Sequence, residues 1–178
     1  MRMEFPQDPS YFLEPGCICC APTPTTIHTV VGSCVSVCIW DRALRFGGMN
    51  HFLYPATEDP EKATPIYGNV ATIELVRMMI AGGSRPEDLR AQILGGACAR
   101  PDSRRPLGLQ NVESARRALK RKGIAICSED TGGNLGRKVV FDTVTGNIIT
   151  LKVHRIRDDD WKDEDGGPAK ESPARIDA

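Results

Sequence analysis

Cys34 and His51, 17 positions apart, are a thiol and an imidazole that the chain could bring together as a reactive pair. A thiol beside an imidazole is a minimal nucleophile–base pair: the imidazole takes the thiol proton and the sulfur attacks an electron-poor carbon. The two lie on either side of a short turn, Asp41 to Arg45, between two apolar stretches. A hairpin centred between Arg42 and Ala43 sets Trp40 opposite Arg45, Cys38 opposite Gly47, Ser36 opposite Met49 and Cys34 opposite His51. Directly opposed residues share a face with Cβ atoms ~5 Å apart, so the thiol and imidazole could hydrogen-bond. A one-residue slip would send them to opposite faces, and Asp41-Arg42-Ala43-Leu44 lacks the Asn-Gly signal of a tight hairpin. Gly47-Gly48 would relieve crowding on the cysteine side, and Gly32 would let the backbone turn before Cys34, leaving N–H groups free for an oxyanion. A free cysteine is also among the most buried residue types, so spacing alone leaves both a dyad and a packed pair open.

Strands and helices around this pair can be read from spacing and turn residues. Residues 25 to 41 are rich in Val, Ile, Thr and Cys around Gly32-Ser33, which predicts two strands or one bulged strand. Phe46 to Leu53 is a third apolar stretch, ended by Pro55. Asn69 is the expected cap of a helix whose apolar residues Val70, Ile73, Val76 and Ile80 recur every three or four positions, stopped by Gly82-Gly83. Ala91 to Leu94 reads as a short buried strand ending in Gly95-Gly96. Asn111 is the expected cap of a second helix with Val112, Ala115 and Leu119 inward and Gly123 past its end. Ile124 to Cys127 predicts another strand, and 138–142 with 147–153 a hairpin around Thr145-Gly146. This order predicts an α+β fold: mixed β-sheets or a sandwich covered by two main helices, in β/β/α-like layers and a single domain.

Flanking this domain, set at residues 25–154, residues 1–24 read as an irregular N-terminal arm and 155–178 as an acidic, disordered tail. The arm holds Cys17, Cys19 and Cys20, but no second pair follows to complete a zinc site, so loop or packing cysteines are the simpler reading. The chain has seven cysteines, an odd count at irregular spacing that makes a poor disulfide framework. With no signal peptide and no long apolar span at hand, a cytoplasmic protein with reduced thiols is expected, without direct membrane insertion. The 23 basic and 23 acidic residues cancel, which argues against a nucleic-acid binder. The balance is uneven: residues 100–122 carry eight basic and two acidic side chains, and 155–178 five basic and eight acidic. A basic helix face is most often only solvated, the other readings being an acidic partner or the chain's own tail.

Gly32-Ser33-Cys34-Val35-Ser36-Val37-Cys38, followed by Gly48-Met49-Asn50-His51-Phe52-Leu53-Tyr54-Pro55, resembles the signature of the chemoreceptor glutamine deamidase family, CheD. Tyr67-Gly68-Asn69, Leu94-Gly95-Gly96-Ala97, Gln110-Asn111-Val112-Glu113, Asp130-Thr131-Gly132-Gly133-Asn134 and Gly136-Arg137-Lys138 follow in the family's order, so the resemblance spans about residues 25 to 153. It implies a hydrolase that converts selected glutamines on the cytoplasmic helices of methyl-accepting chemotaxis receptors to glutamate and ammonia, with no metal or organic cofactor. It implies Cys34 as nucleophile and His51 as general base and acid. The family's third residue is a hydroxyl on the preceding strand, in some members six positions before the cysteine. That position is His28 here, and Thr29 is the nearest hydroxyl and the residue assigned. The resemblance also admits an alternative, a non-catalytic protein that docks and modulates a CheC-type phosphatase; a cysteine peptidase using the same dyad is a third possibility.

Overall fold

The computed structural model describes residues 9–98 and 106–154. The chain forms β1 (Ser10–Phe12), β2 (Ile18–Ala21), β3 (Thr26–Val31), β4 (Val35–Asp41), β5 (Phe46–Asn50), α1 (Gly68–Ala81), β6 (Leu89–Gly95), α2 (Leu107–Arg121), β7 (Ala125–Thr131), β8 (Gly136–Asp142) and β9 (Ile148–Val153). The strands build a four-stranded sheet, β1-β3-β8-β9, and a five-stranded sheet, β2-β5-β4-β6-β7, each with parallel and antiparallel neighbours. Both helices pack on the five-stranded sheet, so the layers are sheet, sheet, helices, as the α+β expectation had it.

β4 explains why this works. It is central in its sheet, and all of its residues but Trp40 are buried. A strand covered on both faces reads as a near-continuous apolar run, as Val-Ser-Val-Cys-Ile-Trp does. Val35, Val37 and Ile39 face the helices, where Leu75, Val76, Met79, Val112, Ala115 and Leu119 close one core. Cys38 joins Ile27, Val31, Met49, Leu94, Val139 and Phe141 in a second core between the sheets. Gly47 and Gly48 serve both contacts: a Cβ on Gly47 would stand 2.8 Å from the Phe141 ring and one on Gly48 2.7 Å from Leu75.

Several expectations are corrected. Part of the supposed irregular arm is regular: β1 adds to the four-stranded sheet and β2 to the five-stranded one. The first helix starts one residue before Asn69, whose side chain instead bonds Thr57. Its buried stripe is Gly68, Ala71, Thr72, Leu75, Val76 and Met79, and Ile80 is exposed. Apolar spacing suggested a face rotated from the true one, because small residues that let the helix approach the sheet carry little hydrophobic signal. The second helix starts at Leu107 behind Pro106, a residue suited to a helix start; Asn111 lies inside it, and Gly123 follows its end with φ +68° as expected. The tail at 155–178 and most of the basic loop before α2 lie outside the described residues. Among the described residues no helix is long and apolar enough to cross a membrane.

Candidate active site

The hairpin register is shifted by two from the expected one. Asp41 Oδ1 accepts from the Ala43 and Leu44 N–H groups at 2.7 and 2.8 Å, and Arg45 takes φ +54°. This wider turn pairs Asp41 with Phe46 and Cys38 with Met49, and Val35 bridges to Phe52. An even shift preserves the face. Cys34 and His51 are therefore diagonal rather than directly opposed, a separation of about 7–8 Å between Cα atoms that an imidazole ring can help to span.

His51 is almost wholly buried, with 1% of its surface exposed. Its backbone is clamped by the former arm: His51 N–H donates to Cys17 O at 3.0 Å, and Gly16 N–H donates to His51 O at 2.7 Å. Its Nδ1 lies 2.8 Å from Thr29 Oγ1, on β3 of the facing sheet. The Thr29 hydroxyl donates its one proton to Leu13 O at 2.8 Å, so toward His51 it can only accept. The proton of the neutral imidazole therefore sits on Nδ1, and Nε2 carries a bare lone pair. Among the described residues Nε2 is buried with no hydrogen-bond partner, so the hydrogen bond expected between it and the Cys34 thiol is not made. Burial drives the His51 pKa down to about 4, so the ring is neutral at pH 7.

Cys34 sits just before β4, partly buried against the core between the sheets. Burial raises its thiol pKa, and a hydrogen bond from its own backbone N–H opposes part of that rise. Thiol and imidazole are both neutral at rest. The backbone around the sulfur is held by its carbonyls: Gly32 O accepts from Ala97 N–H at 2.8 Å, Ser33 O from Asn111 Nδ2 at 2.9 Å, and Cys34 O from Gly96 N–H at 2.8 Å. Planar trans peptides point each following N–H the other way, which turns the Ser33 and Cys34 N–H groups away from Ala97 and Asn111. Gly95 is required for this approach: at φ +109°, a Cβ there would stand 2.3 Å from Cys34 O.

The sequence did not reveal several of these supports. Asn111 also donates to Leu53 O at 2.9 Å, tying the segments after Ser33 and after His51 to one helix. Leu13 acts through its carbonyl, to which side-chain identity gives no clue. The 132–133 loop braces the same region, Gly132 N–H donating to Gly95 O and Cys98 N–H to Gly133 O. The remaining candidates stand apart. His28, next to Thr29 on β3, stacks on Phe12 at 5.0 Å. Asn50 accepts from Val37 N–H and is fully buried, so it satisfies backbone rather than facing Cys34. Cys19 lies in the core between the sheets and Cys20 against Met79 of α1, with thiols raised to about 12 chiefly by burial. Among the described residues no group of three or more His, Cys, Asp or Glu could hold a metal ion.

This arrangement offers a thiol, a neutral buried base with one nitrogen held and the other bare, and the Cys34 N–H beside the sulfur. The chain is similar to known proteins over most of its length. The family model for CheD chemotactic sensory transduction matches residues 54–152, beginning just after His51. A "Probable chemoreceptor glutamine deamidase CheD" of Trichlorobacter lovleyi is 40% identical over 141 residues, 78% of this chain and 88% of that protein. A relative from Anaeromyxobacter dehalogenans is 41% identical over 137 residues, covering 76% and 80% of the two chains. One from Rhodospirillum rubrum is 39% identical over 150 residues, covering 82% and 83%. The chain belongs to the CheD family.

Proposed function

We propose that this chain is a cysteine-dependent amidohydrolase that converts glutamines on the cytoplasmic helices of chemoreceptors to glutamate, releasing ammonia, and that it works in the cytoplasm. The relatives are named for that activity. The observation that carries the chemical reading is the His51 ring, held by Thr29 at Nδ1 and left with a bare, buried Nε2.

In this reading Cys34 is the nucleophile, His51 the general base and acid, and Thr29 the group that holds the imidazole. Nε2 takes the Cys34 proton as the sulfur adds to the glutamine amide carbon. The Ser33 and Cys34 N–H groups receive the developing oxyanion. The imidazolium returns its proton to the departing nitrogen, ammonia leaves, and a thioester remains. Water, deprotonated by Nε2, attacks the thioester and restores the thiol. Burial makes the imidazolium costly, so it exists only between proton transfers; such transfers typically contribute ~10²–10⁴-fold.

Incubation with a receptor cytoplasmic fragment, followed by ammonia measurement and mass mapping of Gln-to-Glu changes, tests this. Wild type should produce both and Cys34→Ala neither. A protein that only docks a CheC-type phosphatase would release no ammonia, and new peptide termini would indicate a peptidase; either result overturns the proposal.

A further inference from the structure

The site described so far handles one side-chain amide, yet the proposed substrate is a folded helix that must be held while one glutamine reaches Cys34. A groove of about 450 Å³ runs between residues 55–56 and the first half of α2, lined by Pro55, Ala56, Leu109, Glu113, Ser114 and Arg117, among others. Its walls are fastened together, since the Ser114 hydroxyl donates to Pro55 O. It shares a helix with Asn111, which ties the segments that carry Cys34 and His51 by holding Ser33 O and Leu53 O.

We propose that this groove is the docking surface for the receptor helix, taking an acidic amphipathic segment beside the glutamine being processed. The inference rests on the deamidase reading and adds the residues that recognise the substrate. Three observations favour this occupant. Leu109 and Tyr54, which precedes Pro55, are large apolar side chains that are 49% and 45% exposed. Such exposure beside a groove suits the apolar stripe of a partner helix. From Leu109 to Arg117 the wall runs nine residues, a rise of about 12 Å at 1.5 Å per step, or two turns of a docked helix. The charge is complementary as well. Glu113 and Arg117 both line the groove and offset each other, so the net positive charge lies at its rim, where Lys120, Arg121 and Lys122 continue an exposed basic face; Arg116 is engaged by Glu129. Every turnover leaves a carboxylate on the substrate, so a helix with several target positions becomes more acidic as it is processed. A basic rim keeps hold of it between events.

The test compares wild type with Arg117→Glu and Leu109→Asp, both exposed positions. It measures deamidation of a receptor cytoplasmic fragment, direct binding of the same fragment, and alkylation of Cys34 by iodoacetamide. Both variants should lose at least about tenfold in kcat/KM, mainly through KM, while Cys34 alkylation keeps its wild-type rate. Added salt should weaken wild-type binding more than Arg117→Glu binding. Wild-type kinetics in both variants would overturn the groove and leave the deamidase reading intact. If wild type binds the fragment without deamidating it, the deamidase reading fails. Binding then decides the groove: loss in the variants supports it, and equal binding overturns it. A wild type that does not bind at all also overturns it.

Discussion

The single hydroxyl proton of Thr29 organises the proposed chemistry. Committed to Leu13 O, it leaves Thr29 an acceptor for His51 Nδ1–H and so leaves Nε2 basic. Thr29→Ala removes that acceptor, so the ring can adopt the other tautomer or turn. Activity should fall by about 10²-fold, with Thr29→Ser restoring most of it; equal activity in Thr29→Ala and wild type would refute the role. His28 stands six before the cysteine and Thr29 is the hydroxyl assigned; the packing of the two sheets sets Thr29 against His51, because successive strand residues face opposite ways. The pH behaviour follows from the burial of both groups. With the His51 pKa near 4, the base is unprotonated across neutral pH, and kcat/KM should fall on the acid side only as pH approaches 4. Cys34, whose thiol is raised by burial, should alkylate slowly at pH 7 and faster through and beyond its ordinary range. An acid limb near pH 6.5 would contradict the buried neutral imidazole. The same shift links to stability: His51 binds protons more readily unfolded, so its contribution is complete above about pH 6.5 and is lost as pH falls toward 4. Denaturation midpoints should decline over that window in wild type, and less in His51→Gln.

At the scale of elements, α2 reaches across the molecule through Asn111. One amide donates to Ser33 O and Leu53 O, carbonyls on the two segments that carry Cys34 and His51. Asn111→Ala removes two part-buried hydrogen bonds, a loss of about 1–3 kcal/mol at roughly 0.5–1.5 kcal/mol per bond. Urea unfolding should register that loss, and deamidation should fall further than the remaining folded fraction explains. Periodicity did identify α2 and its inward residues Val112, Ala115 and Leu119. It could not identify Asn111 as a tie between loops, because a buried Asn reads from sequence like a cap. Similarly, Asp41 chose the wider turn by accepting from two backbone N–H groups. The dyad's face survived that change only because the register moved by an even number.

At the scale of the molecule, the two sheets are joined near the site by a charge cluster. Asp130 on β7 accepts from Arg137 on β8 at 2.9 Å and from Lys152 on β9 at 2.6 Å. Burial would raise the Asp130 pKa, but the hydrogen bonds and charges of Arg137 and Lys152 outweigh it and hold the carboxyl below its ordinary value. Arg137, 2% exposed, also donates to Leu135 O and Gly132 O, and Gly132 N–H in turn braces Gly95 O. Asp130→Asn leaves the buried guanidinium without its counter-charge, but Asp130 is one-third exposed and solvent screens part of the pair, so the cost at pH 7 should be about 1–2 kcal/mol. A depressed carboxyl stabilises above its unfolded pKa, so the difference from wild type should shrink as pH falls below about 4. A difference that stays constant down to pH 2 would show the pair to be electrostatically idle.

By itself the sequence predicted the order of strands and helices from residue 25 onward, the layered α+β class and the family, and it made Cys34 and His51 candidates to share a face. These follow from local spacing and from motifs that survive without coordinates. Tertiary structure decided which group meets His51 Nδ1, which side chain holds the Cys34 backbone and where part of the presumed arm belongs. Each of those contacts joins residues far apart in the chain. They rest on backbone carbonyls, sheet pairing and close approach at glycine, for which residue type alone carries almost no signal.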